Sequence, residues 1–118
     1  MSCAAFVARS FALRTAIHLA HLSSHSYAEH MALDGFYNDI VPLVDKYAEV
    51  YTGLVQKIPA YPSITPPQNP PMLLLTDYLI QVRKEIKDDE QESQALLNIL
   101  AELEELTAQT LYKLKFLK

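Results

Sequence analysis

The side chains able to do chemistry are concentrated in one part of this chain. All four histidines, His18, His21, His25 and His30, fall within 13 consecutive residues. Asp34, Asp45 and Glu49 follow them. Imidazoles and carboxylates without thiolates make a donor set suited to iron or manganese, and one that can also hold zinc. The single cysteine, Cys3, has no partner for an internal disulfide, which fits a reducing compartment.

Whether these groups can meet depends on the elements that carry them. Half of the 118 residues are apolar, enough for the core of one domain. Only two glycines are present, and six of the seven prolines lie between Pro59 and Pro71. Turns must therefore be few, with the helix breakers pooled in one connection. Apolar residues at helical spacing predict four helices, over about residues 4–22, 27–57, 72–87 and 91–117. Ser26-Tyr27-Ala28-Glu29 reads as a capping box that opens the second helix. Pro42 falls inside that helix and is expected to bend or bulge it. Asp88-Asp89-Glu90 marks the last turn and is placed to cap the fourth helix.

The Pro-rich stretch is long enough to matter for topology. In an extended form its residues span roughly 40 Å, about the length of a helix of ~28 residues. It can carry the chain back along the whole bundle, so that the third helix runs parallel to the second. The expected fold is all-α: two antiparallel helical hairpins joined by a long Pro-rich crossover, as in ferritin-like four-helix bundles.

On this scaffold His18 and His30 are each six residues from Ser24, the centre of the first turn. They are expected level with one another on adjacent antiparallel helices. Counted from His30 at about 100° per residue, Asp34, Asp45 and Glu49 fall at about 40°, 60° and 100°, on one helix face. Yet His30 and Glu49 are about 28 Å apart along the axis, too far for one metal. A second copy can supply what one lacks. If the second helix pairs antiparallel with its symmetry mate, His30 faces the mate's Glu49 and Asp34 its Asp45. The two-fold axis then passes near Asp39 and Ile40, with Phe36 opposite Leu43 of the mate. His21 and His25 read as surface histidines at a helix end, or as auxiliary ligands on an access route. The same pattern also describes a plainly solvated helix face, and a non-catalytic helical assembly module is the alternative reading. Tyr27, Tyr37, Tyr47 and Tyr51 read as core or interface residues.

His18, His30, Asp34, Asp45 and Glu49 spell H-x11-H-x3-D-x10-D-x3-E. This resembles the ferroxidase motif of the Dps-type miniferritins, the DNA-binding proteins from starved cells. The string His30-Met31-Ala32-Leu33-Asp34-Gly35-Phe36 is similar to the family's segment at that place. The likeness continues through Ala60-Tyr61-Pro62, Gln81-Val82-Arg83-Lys84 and the Leu-rich last helix. The resemblance implies a homo-oligomer, a shell of identical subunits with ferroxidase sites at two-fold interfaces. His18, His30 and Asp34 would come from one subunit and Asp45 and Glu49 from its mate. Ferrous iron would be oxidised there, typically by peroxide, and ferric mineral stored.

The chain also departs from the family. It is short, it lacks the Lys/Arg-rich tail that carries DNA binding, and Leu19 and Val50 replace an aromatic and a basic residue usual beside the ligands. Its length is similar to that of small ferritin-like proteins of bacteriophages. A net charge of −4 gives no general attraction to nucleic acid or anionic lipid, and only Lys113, Lys115 and Lys118 make a locally basic end. No apolar run is long enough to span a membrane, so neither a membrane nor DNA is an expected partner. The first 28 residues hold Arg9 and Arg14 but no Asp or Glu, the composition of a transit peptide, yet they also read as a core helix. The expected location is the cytoplasm.

Overall fold

A computed structural model of the chain describes residues 2–89 and 91–117. Glu90 and Lys118, read above as part of the acidic turn and the basic end, lie outside the described residues. The described residues form four helices and no strand: α1 (Cys3–Ser23), α2 (Tyr27–Leu54), α3 (Pro71–Lys87) and α4 (Gln94–Phe116). Three helices begin at a serine whose Oγ accepts a free amide of the first turn. Ser2 takes Ala5 N–H at 3.1 Å, while Ser26 takes Glu29 N–H and Ser93 takes Leu96 N–H, both at 3.3 Å. The fourth helix, α3, begins at Pro71, where the missing N–H has no helical partner to lose.

Two boundaries differ from those expected. α2 stops at Leu54 rather than near residue 57, because Gly53 weakens its last turn and Pro59 disfavours helix in the residue before it. α4 begins at Gln94 rather than 91. The Asp89 carboxylate accepts the amides of Gln91 and Ser93 at 3.3 and 3.1 Å, and Glu92 takes a left-handed φ of 49°. Asp89 thus shapes the turn, and Ser93 caps the helix. α2 runs on through Pro42 as a single α-helix.

The order of the helices in space follows from which ends meet. A cleft at one end of the molecule is lined by Ser2 and Cys3, Tyr47 and Tyr51, Glu85 and Asp88, and Leu96. It joins the starts of α1 and α4 to the ends of α2 and α3, so α2 and α3 are parallel and the other two oppose them. Around the bundle α1 packs on α2, α2 on α4, α4 on α3 and α3 on α1. Every neighbouring pair is therefore antiparallel. The connector between α2 and α3 carries the chain back along a molecule 43 Å long.

Apolar stripes from all four helices close the core, with Phe6, Ile17, Leu33, Phe36, Ile40, Leu75, Val82 and Leu103 fully buried. Each such side chain removed from water favours folding by about 1.5–3 kcal/mol. Phe6 is the aromatic centre: Tyr47 meets its edge at 5.6 Å and Tyr78 stacks on it at 6.0 Å. The seam between α1 and α3 is held by a buried polar pair, the Tyr78 hydroxyl and Ser10 Oγ at 2.8 Å. Ser10 spends its own proton on the Phe6 carbonyl, so Tyr78 must be the donor.

One expectation about the α2 face is corrected here. Phe36 and Ile40 belong to the core of their own bundle and cannot line a two-fold contact. The residues exposed around the middle of α2 are Asn38, Asp39, Val41 and Pro42.

Candidate functional site

The hairpin between α1 and α2 builds the site. With α1 ending at Ser23 and the Ser26 cap opening α2, the turn is centred near His25 instead of Ser24. This small shift changes which histidines meet. His30 is level with His21, and their rings stack at 3.7 Å. The expected pairing of His18 with His30 is not what forms. Side chains on a helix lean toward its N-terminus. His18 therefore leans away from the turn and Tyr37 leans toward it, and the two rings stack at 4.0 Å with 10° between their planes.

His21 and His30 bind each other's backbone. His21 Nδ1 lies 2.7 Å from the His30 carbonyl, and His30 Nδ1 lies 2.9 Å from the His21 carbonyl. A carbonyl oxygen only accepts, so both Nδ1 atoms carry a proton. In the neutral rings this leaves the Nε2 lone pairs free. That is the tautomer found in metal-binding histidines, whose second nitrogen is held by a carbonyl or carboxylate. His21 Nε2 is 4.0 Å from Asp34 Oδ1. The reading of His21 as a surface residue is thereby corrected: it is 7 % exposed and sits between His18 and His30. His25 is exposed at the turn, as expected.

Around this pair, the Tyr37 hydroxyl donates to Asp34 Oδ1 at 3.1 Å, which steadies the carboxylate. Partial desolvation raises the Tyr37 phenol above its ordinary value, and the bond to Asp34 adds to the effect. The Arg14 guanidinium lies 5.6 Å over the Tyr37 ring, a cation–π arrangement, and its buried Nε has no hydrogen-bond partner. The aromatic and basic surroundings of the histidines are thus Tyr37 and Arg14, which the sequence reading did not place in the site. Spacing held the signal: Tyr37 follows Asp34 by one helical turn, and Arg14 precedes His18 by one.

Asp45 and Glu49 lie elsewhere in the chain. Both are exposed on α2, one turn apart. The Glu49 carboxyl is pushed up from its ordinary range by a hydrogen bond shared with Asp45 and by that neighbour's charge. About 16 Å of helix separates Asp45 from Asp34. Among the described residues, no three His, Cys, Asp or Glu side chains of one copy form a group able to hold a metal ion. The chain contains two half-sets of donors, one of imidazoles and a carboxylate near the first turn and one of two exposed carboxylates farther along α2.

The fold and this hairpin define an all-α four-helix protein with a histidine-rich end and a separate acidic patch on its longest helix. Residues 21–114 match the family model DUF5856, a family of unknown function, and the chain belongs to that family. The match takes in His21, His30, Asp34, Asp45 and Glu49 and begins after His18. No curated protein and no solved structure matches the chain. None of its described helices is long and apolar enough to cross a membrane.

Proposed function

We propose that this protein is a ferritin-like miniferritin of the cytoplasm that binds ferrous iron and oxidises it at a site shared by two copies. The observation that carries the reading is the paired Nδ1–H bonds of His21 and His30, which leave both Nε2 lone pairs available, that of His21 4.0 Å from Asp34. The antiparallel ring of helices with its lengthwise crossover supports the ferritin-like assignment.

In this reading His18, His30 and Asp34, with His21 as an added donor, come from one copy and Asp45 and Glu49 from the other. The second pair relieves its own like-charge repulsion by taking up a cation. Carboxylates favour the ferric product, and nitrogen donors retain the ferrous substrate. Two ferrous ions give one electron each to one peroxide, which leaves as two hydroxide ions, so no hydroxyl radical is released. The chain contributes donors, geometry and partial exclusion of water, while iron supplies the redox chemistry. The donor set also accepts manganese or zinc. Assembly beyond a dimer would add the cavity in which ferric mineral is stored.

The test is ferrous titration under nitrogen followed by peroxide. Saturable oxidation should fall at least tenfold in His30→Ala and in Asp45→Ala, with the oligomer intact. Unchanged oxidation in both variants would leave a non-catalytic assembly module. One observation favours that second reading: the histidine pair already has a structural use, since it clasps the α1–α2 hairpin.

A further inference from the structure

The end of the bundle away from the histidines carries a second concentration of charge. The cleft there encloses about 550 Å³ between the starts of α1 and α4 and the ends of α2 and α3. Glu85, Asp88 and Asp89 line it, and Lys87 is the single cation among the described lining residues. Glu85 lies in the last turn of α3 and Asp88 caps it, where the helix dipole disfavours negative charge. Glu85 is half-buried, and among the described residues its carboxylate has neither a hydrogen bond nor an ion pair. Burial first, and then the charge of Asp88, raise that carboxyl above its ordinary range, against the opposing charges of the amino terminus and Lys84.

Acidic side chains at a helix end are common, so the weight falls on Tyr47. This residue is only 5 % exposed, with its ring packed on Phe6 at 5.6 Å. Yet its hydroxyl has no hydrogen-bond partner among the described residues. A phenol so deep in a fold ordinarily has one. Burial raises this phenol above its ordinary value, and so do the charges of Cys3, Glu85, Asp89 and Tyr51, all of which line the cleft. The hydroxyl is therefore aimed into the cleft, where a ligand can satisfy it.

The lining defines the chemistry of that ligand. Unpaired carboxylates call for positive charge, and the phenol oxygen accepts a hydrogen bond from a charged nitrogen. A bare metal ion does not fit. No three His, Cys, Asp or Glu side chains converge on one point among the described residues, and the cleft is far larger than one ion. Carboxylates strung along the end of α3 and the turn beyond it suit charges strung along a chain. Tyr47, Tyr51 and Leu96 offer apolar wall to the methylenes between those charges, and a tyrosine face also attracts an ammonium.

We propose that the end cleft binds a linear aliphatic polyamine, with its ammonium groups on Glu85, Asp88 and the Tyr47 hydroxyl. The site shares no residue with the histidine hairpin, so it stands apart from the iron reading.

Calorimetric titration of the full chain with spermidine at physiological salt tests the site. Spermidine saturates at one equivalent per chain, and magnesium chloride of matched ionic strength does not. Glu85→Gln weakens the binding about tenfold or more, and Tyr47→Phe by about threefold to tenfold, with unchanged circular dichroism spectra. Glu102→Gln removes the same charge from an exposed position of α4 outside the cleft and leaves the affinity as it was. Equal losses in Glu85→Gln and Glu102→Gln, or an affinity indifferent to Tyr47→Phe, overturn the site and leave only diffuse attraction to an acidic chain. Magnesium that binds as spermidine does overturns it as well. Saturation by tetralysine without saturation by spermidine overturns the small-molecule occupant.

Discussion

His21 and His30 each give their Nδ1 proton to the other's main-chain carbonyl, at 2.7 and 2.9 Å, across rings stacked 3.7 Å apart. The pair therefore ties α1 to α2 at the turn end of the hairpin and fixes two ring orientations in one step. Local hydrogen bonds satisfy the inner nitrogens, and the outer nitrogen of His21 lies 4.0 Å from Asp34 Oδ1.

Removing one ring should loosen both. His21→Ala is expected to destabilise the fold by about 2 kcal/mol and His30→Ala by about 1 kcal/mol, since a net hydrogen bond contributes about 0.5–1.5 kcal/mol and His21 is the more buried. The two losses should not add. A double-mutant cycle read by urea unfolding should show a coupling of about 1 kcal/mol. Full additivity would mean that the rings act independently.

Divalent metal should stabilise the folded assembly. At a free zinc concentration of about 100 times the dissociation constant, a ligand that binds only the native state adds about 2.7 kcal/mol. Thermal melts should rise by several degrees with zinc and return on chelation. The shift should vanish in His30→Ala and shrink in Glu49→Ala.

The seam between α1 and α3 offers a test away from the site. Tyr78→Phe removes the hydroxyl that donates to Ser10 Oγ but leaves Ser10 bonded to the Phe6 carbonyl. The expected cost is about 1 kcal/mol in chemical denaturation, with the helical circular dichroism spectrum preserved. Tyr78→Ala should cost about 3–5 kcal/mol, because it also removes the ring that stacks on Phe6.

Cys3 should be a slow thiol. Burial in the end cleft, helped by the charge of Glu85, pushes its pKa from 9.0 up to about 11. The reactive thiolate is then scarce at neutral pH. Alkylation by iodoacetamide should accelerate about tenfold for each pH unit until pH approaches 11. The same shift favours the folded state fully below pH 9 and gives that contribution up as pH rises from 9 toward 11. An alkylation rate that levels off near pH 8 would contradict this environment.

Much of the architecture was readable from residue order. The apolar stripes of Phe6, Leu13 and Ile17, and of Leu33, Phe36, Ile40 and Val44, repeat at helical spacing and are buried as such. Ser26 caps the helix that it was expected to cap. The pooling of six prolines between Pro59 and Pro71 announced the single long connection. Local rules suffice for these features because each depends on a few neighbouring residues.

Other features depended on how far two helices slide past each other. A shift of the turn centre by about one residue exchanged the partner of His30, from His18 to His21, and placed Tyr37 on His18. Burial of Phe36 and Ile40 in their own core moved the outward face of α2 onto Asn38, Asp39, Val41 and Pro42.

By itself, then, the sequence determined the number of helices, their approximate limits and the antiparallel first hairpin with the four histidines about its turn. Periodicity and breaker placement encode these directly. Only the tertiary structure decided which imidazoles touch, which nitrogen of each stays free, and which side chains line the end cleft. Side-chain contacts between helices depend on axial offset and rotation together, and one residue of offset moves a side chain about 1.5 Å along and about 100° around its helix. No pattern within a single strand of sequence carries both.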